Sequence, residues 1–337
     1  MIRAGIVGLG KMGISHCAIL GAHPQVDLVA VCDTSSLVID GFTKHSTVAC
    51  FTDYKKMIDN SNLQCIVIAS PTKYHSEMVN YALDHNLHVF CEKPFALKVE
   101  EGVKLSEKAE SLGLVNQVGY HNRFLGTFQE VKRLLGQDVL GDLYHFLGES
   151  YGPVVLREKG STWRSEKGQG GGCLYDYASH TIDLIHFLCG RGVKVGGTML
   201  KSIFSKQVED AVYSTLLLEG GLSGQLSVNW SDETHRKMNT QVTLLGKKGK
   251  IIADATEVKI YLKEANEKLN LPKGWTVKYL TDLTSPVDFY LRGEEYSSQI
   301  DHFIECIQDR SIKNKSPFRT ASYTDEVINL LISDSTI

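Results

Sequence analysis

Two short stretches carry side chains able to move a proton or stabilise negative charge. In "VFCEKPFAL", residues 89–97, Glu92, Lys93 and Pro94 stand directly behind an apolar run. An ammonium at the end of a buried strand can stabilise a developing alkoxide, and a Lys-Pro bond can adopt the cis form at modest cost, which would turn the lysine away from the strand direction. In "GQGGGCLYDYASHTIDLIHFLCG", residues 168–190, a flexible glycine run is expected to enter a helix over 173–189. On it Asp176, His180 and Asp183 recur at i, i+4 and i+7, so all three project from one face. An imidazole, with its ordinary pKa of about 6.5, can hold or release a proton at working pH; a neighbouring carboxylate orients it and favours its charged form. Lys93, Asp176, His180 and Asp183 are therefore candidates for a functional site. Leu174, Ile182, Ile185 and Leu188 make the opposite, apolar stripe, and His186, which points away from the polar one, is assigned to packing.

A third stretch could hold phosphate. "GLGKMG", residues 8–13, follows an expected strand and opens an expected helix, and Asp33 ends the next strand twenty residues after Gly13. Gly8 permits a tight turn, Gly10 lets the backbone approach a pyrophosphate, and Gly13 lets the helix pack closely on the strand. Backbone amides of Leu9, Lys11 and Met12 lie in the same turn, where exposed helix N-terminal N–H groups bind anions. Asp33 can accept the two ribose hydroxyls of an adenosine but would repel a 2′-phosphate, and Thr34, Ser35 and Ser36 supply no arginine to bind one, so NAD is favoured over NADP. The alternative for Asp33 is simply to cap the next helix. "SPTKYH", residues 70–75, ends the fourth expected strand as "EKP" ends the fifth, which puts Ser70, Pro71, Thr72, His75, Glu92 and Lys93 on the cofactor side of the sheet.

Composition narrows the partners. With 36 Lys and Arg against 39 Asp and Glu, the net charge of −3 gives no broad footprint for nucleic acid or anionic lipid, which points to small-molecule ligands or other protein chains. The eight cysteines include no Cys-x-x-Cys pair, and the Cys and His residues show no metal-ligand spacing, so no metal is expected and reduced thiols in a cytoplasm fit best. No signal peptide is read ahead of the first strand, and no apolar run approaches the length of a membrane span.

The 337 residues exceed what one core usually holds and favour two domains. Through residue 122, strands expected at 2–8, 27–33, 47–51, 64–70, 87–91 and 114–119 alternate with helical segments, the pattern of a doubly wound parallel Rossmann sheet covered on both faces. Over 123–337, after a helix near 126–136, runs such as "AVYSTLLLE", "LSGQLSVNW" and "TQVTLLG" joined by "GG" and "GKKG" turns predict a largely antiparallel sheet. Helices near 173–189, 296–309 and 320–333 are expected to cover one face of it. A large sheet left half covered favours a homo-oligomer, a dimer or tetramer.

In this order and spacing, "GLGKMG", "SPTKYH", "CEKP" and "GGGCLYDYASHTID" closely resemble the Gfo/Idh/MocA family of NAD(P)-dependent sugar and polyol dehydrogenases, over essentially the whole chain. The resemblance implies a cis Lys93–Pro94 bond, a Lys93 that contacts nicotinamide ribose and substrate, and His180 as the acid/base with Asp176 beside it. The substrate is then a sugar, a polyol or a nucleotide-linked sugar; "FYLRGEEYSSQI", residues 289–300, looks similar to the nucleotide-sugar branch. Asn122, Arg123, Tyr151, Trp163 and Arg164 are expected to line the substrate site. Arg164 could pair with a carboxylate or phosphate, or be an ordinary surface arginine. Two alternatives share the fold: an NAD-dependent glycosidase, whose cycle returns its hydride, and a dinucleotide-binding regulator, which would tend to lack the lysine or histidine present here.

Overall fold

The computed structural model describes residues 1–158 and 162–335. They divide into two compact units, one of residues 1–121 with 286–322, the other of the described residues within 122–285 and from 323 onward.

The first unit alternates strand and helix as its apolar pattern requires. In chain order it comprises β1 (Ile2–Val7), α1 (Lys11–Ala22), β2 (Val26–Cys32), α2 (Ser36–His45), β3 (Ala49–Phe51), α3 (Tyr54–Ser61), β4 (Cys65–Ile68), α4 (His75–Asp84), β5 (His88–Cys91), α5 (Val99–Ser111) and β6 (Asn116–Val118). The six strands are all parallel, in the order β3-β2-β1-β4-β5-β6. The order reverses direction beside β1, and ligands of doubly wound sheets lie outside the carboxyl ends of the strands at such a point. The inner strands β1, β4 and β5 are almost wholly buried, which is why their sequences are near-continuous Val, Ile, Phe and Cys rather than alternating.

The second unit opens with α6 (Gly126–Gly136) and β7 (Leu143–Tyr151), followed by a π-turn, Leu174–Ala178, that runs directly into α7 (Ser179–Cys189). Then come β8 (Gly192–Lys201), β9 (Ala211–Leu218), β10 (Ser223–Asn229), β11 (Asn239–Gly246), β12 (Gly249–Ala253), β13 (Glu257–Leu262), β14 (Gly274–Tyr279) and the short α8 (Leu280–Leu283). Eight strands form one sheet, β14-β13-β12-β11-β7-β10-β9-β8, antiparallel except between β7 and β10. The expected hairpins at "GG" and "GKKG" are the β9–β10 and β11–β12 turns. One face of the sheet is apolar: Phe146, Leu216, Leu226, Val228, Val242, Leu244, Ile251 and Ile260 pack with Phe128, Val131 and Leu134 of α6 and Ile182 and Ile185 of α7.

Two helices complete the chain, α9 (Glu294–Gln308) and α10 (Phe318–Asp334). The expectation that α9 covers the antiparallel sheet is corrected. Its Ile300, Phe303 and Ile304 are 0% exposed and cluster with Ile6, Leu20, Val67 and Phe90, so residues 286–322 belong with the parallel sheet although they follow the antiparallel one in sequence. The first-domain boundary near 122 takes no account of this return. α10 begins in the first unit, with Phe318 stacked on Phe95 at 4.2 Å, and from Tyr323 it belongs to the second, where Val327, Ile328 and Leu331 join the core.

Candidate active site

The glycine turn divides its labour between fold and ligand. Gly8 has φ +88°, and a Cβ there would lie 2.7 Å from the Ala69 carbonyl oxygen; a Cβ on Gly13 would collide with the carbonyl of Gly8. Those two glycines are required by the backbone itself. At Gly10 a Cβ would meet nothing within 4 Å and φ is an ordinary −67°, so the space beside it is open where a pyrophosphate would approach. Gly10 is also the N-cap of α1 and offers no side chain to that helix's first N–H groups. The hydroxyl oxygen of Ser70 is buried with no hydrogen-bond partner among the described residues. An open helix N-terminus, a vacant approach and an orphaned hydroxyl are what a bound dinucleotide needs.

Asp33 stands two residues ahead of Ser35, the N-cap of α2. Oδ1 accepts the N–H of Ser35 at 2.8 Å, and Oδ2 accepts the N–H of Leu9 at 2.7 Å, which ties the end of β2 to the glycine turn. A carboxylate has about four acceptor positions, so two remain for ribose hydroxyls.

At the end of β5 the Lys93–Pro94 bond is cis. Glu92 turns inward: it is 8% exposed, Oε1 lies 2.6 Å from Nε2 of His16 on α1, and Oε2 accepts the N–H of Lys93 at 3.2 Å. Burial pushes its carboxyl up, but the bond to His16 and the nearby Lys93 charge outweigh that and hold it below the usual carboxylate range. Sequence reasoning missed His16, since a lone histidine inside an apolar helix reads as core and its partner lies 76 residues away. His75 joins the other two loops, with Nδ1 3.0 Å from the Pro94 oxygen and Nε2 2.9 Å from the Ser70 oxygen. Burial lowers its pKa against those carbonyls, so the neutral ring donates to one of them at a time. Thr72 is buried nearby in the sequence and Pro71 is exposed.

In the second unit the expected helix begins as a π-turn, a rare form often found at functional sites, and this changes which residues share a face. Asp176 lies in the π-turn and His180 at the second position of α7; they are 9% and 4% exposed. Arg164 gives Nε to Asp176 Oδ2 at 3.0 Å while its guanidinium lies over the Trp163 ring at 4.4 Å, so this arginine, although exposed, is committed to two neighbours. The glycine run, expected to be flexible, is wedged: a Cβ on Gly171 would strike the Arg164 carbonyl and one on Gly172 the Glu209 carboxylate, which itself accepts the N–H of Leu174 at 2.8 Å.

Two charged residues singled out in the sequence meet each other. Arg123 and Asp183 are 3% and 0% exposed and bond each other in the interior, Nε to Oδ2 at 2.8 Å and Nη2 to Oδ1 at 2.6 Å. Asp183 is therefore held by an internal ion pair with Arg123, one of the residues expected to line the substrate site. Tyr151 projects from the less covered sheet face and bonds Ser227 at 2.6 Å. The Nδ2 of Asn122 is buried without a hydrogen-bond partner among the described residues. His186, assigned to packing, is held down to about 3 by burial first and then by Arg123 and Arg191. Among the described residues no group of His, Cys, Asp and Glu could hold a metal ion, and no helix is long and apolar enough to cross a membrane.

Known proteins share this fold. Residues 2–120 match the family model described as "Oxidoreductase family, NAD-binding Rossmann fold", and residues 128–252 match the GFO/IDH/MocA C-terminal domain. A scyllo-inositol 2-dehydrogenase (NAD(+)) of Bacillus subtilis is 23% identical over 336 residues, covering 98% of this chain and 91% of that one. Levoglucosan dehydrogenase in complex with NADH and levoglucosan superposes with a TM-score of 0.88 at 17% identity, covering 99% and 97% of the two chains. The WlbA dehydrogenase of Bordetella pertussis in complex with NADH and UDP-GlcNAcA does so at 0.78 and 20%, covering 99% and 96%. With both of its domains matched in order and the glycine turn, Glu-Lys-Pro and Asp-x-x-x-His in place, the chain belongs to the Gfo/Idh/MocA family of NAD-binding oxidoreductases.

Proposed function

We propose that the enzyme is an NAD-dependent dehydrogenase that interconverts a secondary hydroxyl and a ketone on a sugar, polyol or nucleotide-linked sugar. The observation that carries this reading is the presence, in one chain of an oxidoreductase family, of both Lys93 at the end of β5 and a nearly buried imidazole, His180, where the π-turn meets α7. When bound, the nicotinamide ring supplies the hydride acceptor. Gly8 to Gly13 and Ser70 hold the phosphates, and Asp33 holds the adenosine ribose. In oxidation His180 takes the hydroxyl proton, Lys93 stabilises the negative charge that develops on that oxygen, and Asp176, braced by Arg164, keeps the acid/base helix in place. The names of relatives support the substrate class: an inositol, an anhydrosugar and a UDP-sugar acid appear among them.

The test is a panel of polyols, aldoses and nucleotide sugars with NAD, read by absorbance of the reduced ring. One class is expected to accumulate NADH, and Lys93→Ala or His180→Ala to lower kcat by about 10²–10⁴-fold with dinucleotide affinity nearly intact. Full turnover in both variants would remove the assignment. Consumption of a sugar without net NADH would replace it with the hydride-returning elimination of a glycosidase.

The reading includes a homo-oligomer. Trp275, Val277 and Tyr279 of edge strand β14 are 55%, 41% and 56% exposed on the face that the helices leave open. Light scattering is expected to give a multiple of the 37.4 kDa chain, reduced by Trp275→Glu with Tyr279→Glu; a wild-type mass of one chain would refute it.

A further inference from the structure

One polar side chain of the glycine-turn helix has no task in the mechanism above. His16, the sixth residue of α1, is 0% exposed and sets its ring edge-on to Phe90 at 5.2 Å. Its Nδ1 is buried with no hydrogen-bond partner among the described residues, and its Nε2 lies 2.6 Å from Glu92 Oε1. Packing alone does not account for an imidazole here, because an apolar ring of similar size would fill the space without a buried nitrogen to satisfy.

The carboxylate it meets is fixed from three directions. His16 takes one oxygen, the Lys93 N–H takes the other, and a Cβ at position 119 would sit 3.0 Å from three carboxylate atoms, so that position is glycine. Other ionisable groups facing Glu92 among the described residues include Lys93 itself, His75 of α4, and Tyr296 of α9, whose phenol is pushed up to about 12 by burial first and by acidic neighbours including Glu92. Removing the imidazole would leave a buried carboxylate without its strongest donor; it would then take up a proton or swing away, and either change loosens the Lys93 backbone.

We propose that His16 is a positioning residue for Lys93, acting through Glu92 to hold the backbone from which the lysine projects and so linking α1 to the catalytic group. The proposal rests on the role given to Lys93 above. The experiment compares the full-length protein with Lys93→Ala, His16→Phe, His16→Gln, Glu92→Gln and the double variant His16→Phe/Glu92→Gln. His16→Phe keeps the ring and is expected to lower kcat about 10- to 100-fold, the scale of a misplaced catalytic group, while NAD affinity stays within about threefold. His16→Gln, which retains an N–H donor, should recover part of the loss, and the double variant should be no worse than the poorer single one.

A second readout needs no cofactor. Because the Glu92 carboxyl is held below its ordinary range, its stabilisation is present above the unfolded pKa of about 4.3 and is lost as pH falls through the folded value. In His16→Phe the unpaired carboxylate titrates the opposite way. The gap in melting temperature between wild type and His16→Phe should therefore be wider at pH 7 than at pH 4.5. Wild-type kcat in His16→Phe and His16→Gln, strictly additive losses in the double variant, or a melting gap that ignores pH would each reduce His16 to a space-filler. Full turnover in Lys93→Ala would instead overturn the role of Lys93, whatever His16 does.

Discussion

Asp33, Asp176 and Asp183 look alike as sequence and end in different chemistry. Asp33 spends two lone pairs on backbone N–H groups, of Leu9 and Ser35; Asp176 is braced by an arginine; Asp183 is sealed in the interior with Arg123. Removing one member of a fully buried ion pair strands the other's charge. Asp183→Asn is accordingly expected to cost about 3–5 kcal/mol of stability, whereas Arg123→Met with Asp183→Leu together should recover most of it, as read from denaturant midpoints. If Asp183→Asn is as stable as wild type, the pair contributes nothing to the fold. His16 and Arg123 share a feature: the partner of each lies 60 or more residues away, and no periodicity announces such a pairing.

At the level of elements, the glycine turn separates what the backbone needs from what the ligand needs. Gly13→Ala forces a collision with the Gly8 carbonyl and is expected to unfold or strongly destabilise the protein. Gly10→Ala meets open space at an ordinary φ and should leave the melting temperature within a few degrees while raising the dissociation constant for NAD about tenfold or more. Calorimetry and titration with NAD check both; equal effects at the two positions would contradict the division. The helix that carries His180 shows where periodicity misleads. A run of i, i+4, i+7 polar residues presumes a uniform α-helix, and the π-turn at Leu174–Ala178 breaks that presumption for Asp176 while tertiary burial breaks it for Asp183. Strands β8 and β14 escaped the sequence reading for a related reason. Both lie at sheet edges with one paired side; β8 shifts register twice, and β14, although it alternates, is short and turns its apolar residues to the exposed side.

For the whole molecule, acid sensitivity follows from its buried histidines. Burial lowers His88 and His302 to about 4 and His186 to about 3, each also pushed down by nearby cations. Their unfolded pKa is about 6.5, so the unfolded chain binds more protons below that value and stability falls as pH drops from about 6.5 toward 4. With three such groups the slope is at most about 4 kcal/mol per pH unit, since each proton contributes about 1.4. Urea midpoints measured from pH 7 to 4.5 should fall steadily; a flat profile would mean that these rings are already charged when folded.

By itself the sequence determined the classes of structure and chemistry. Continuous apolar strands alternating with helices can only be covered on both sides, glycines at fixed spacing admit a dinucleotide, and the lysine and histidine stand in motifs local enough to read directly. The tertiary structure alone decided which charged groups face inward together, that α9 returns to the parallel sheet, and that Glu92 is held from α1. Those outcomes depend on burial of groups far apart in the chain, where the free energy of pairing arises only after the backbone has brought them into one low-dielectric interior.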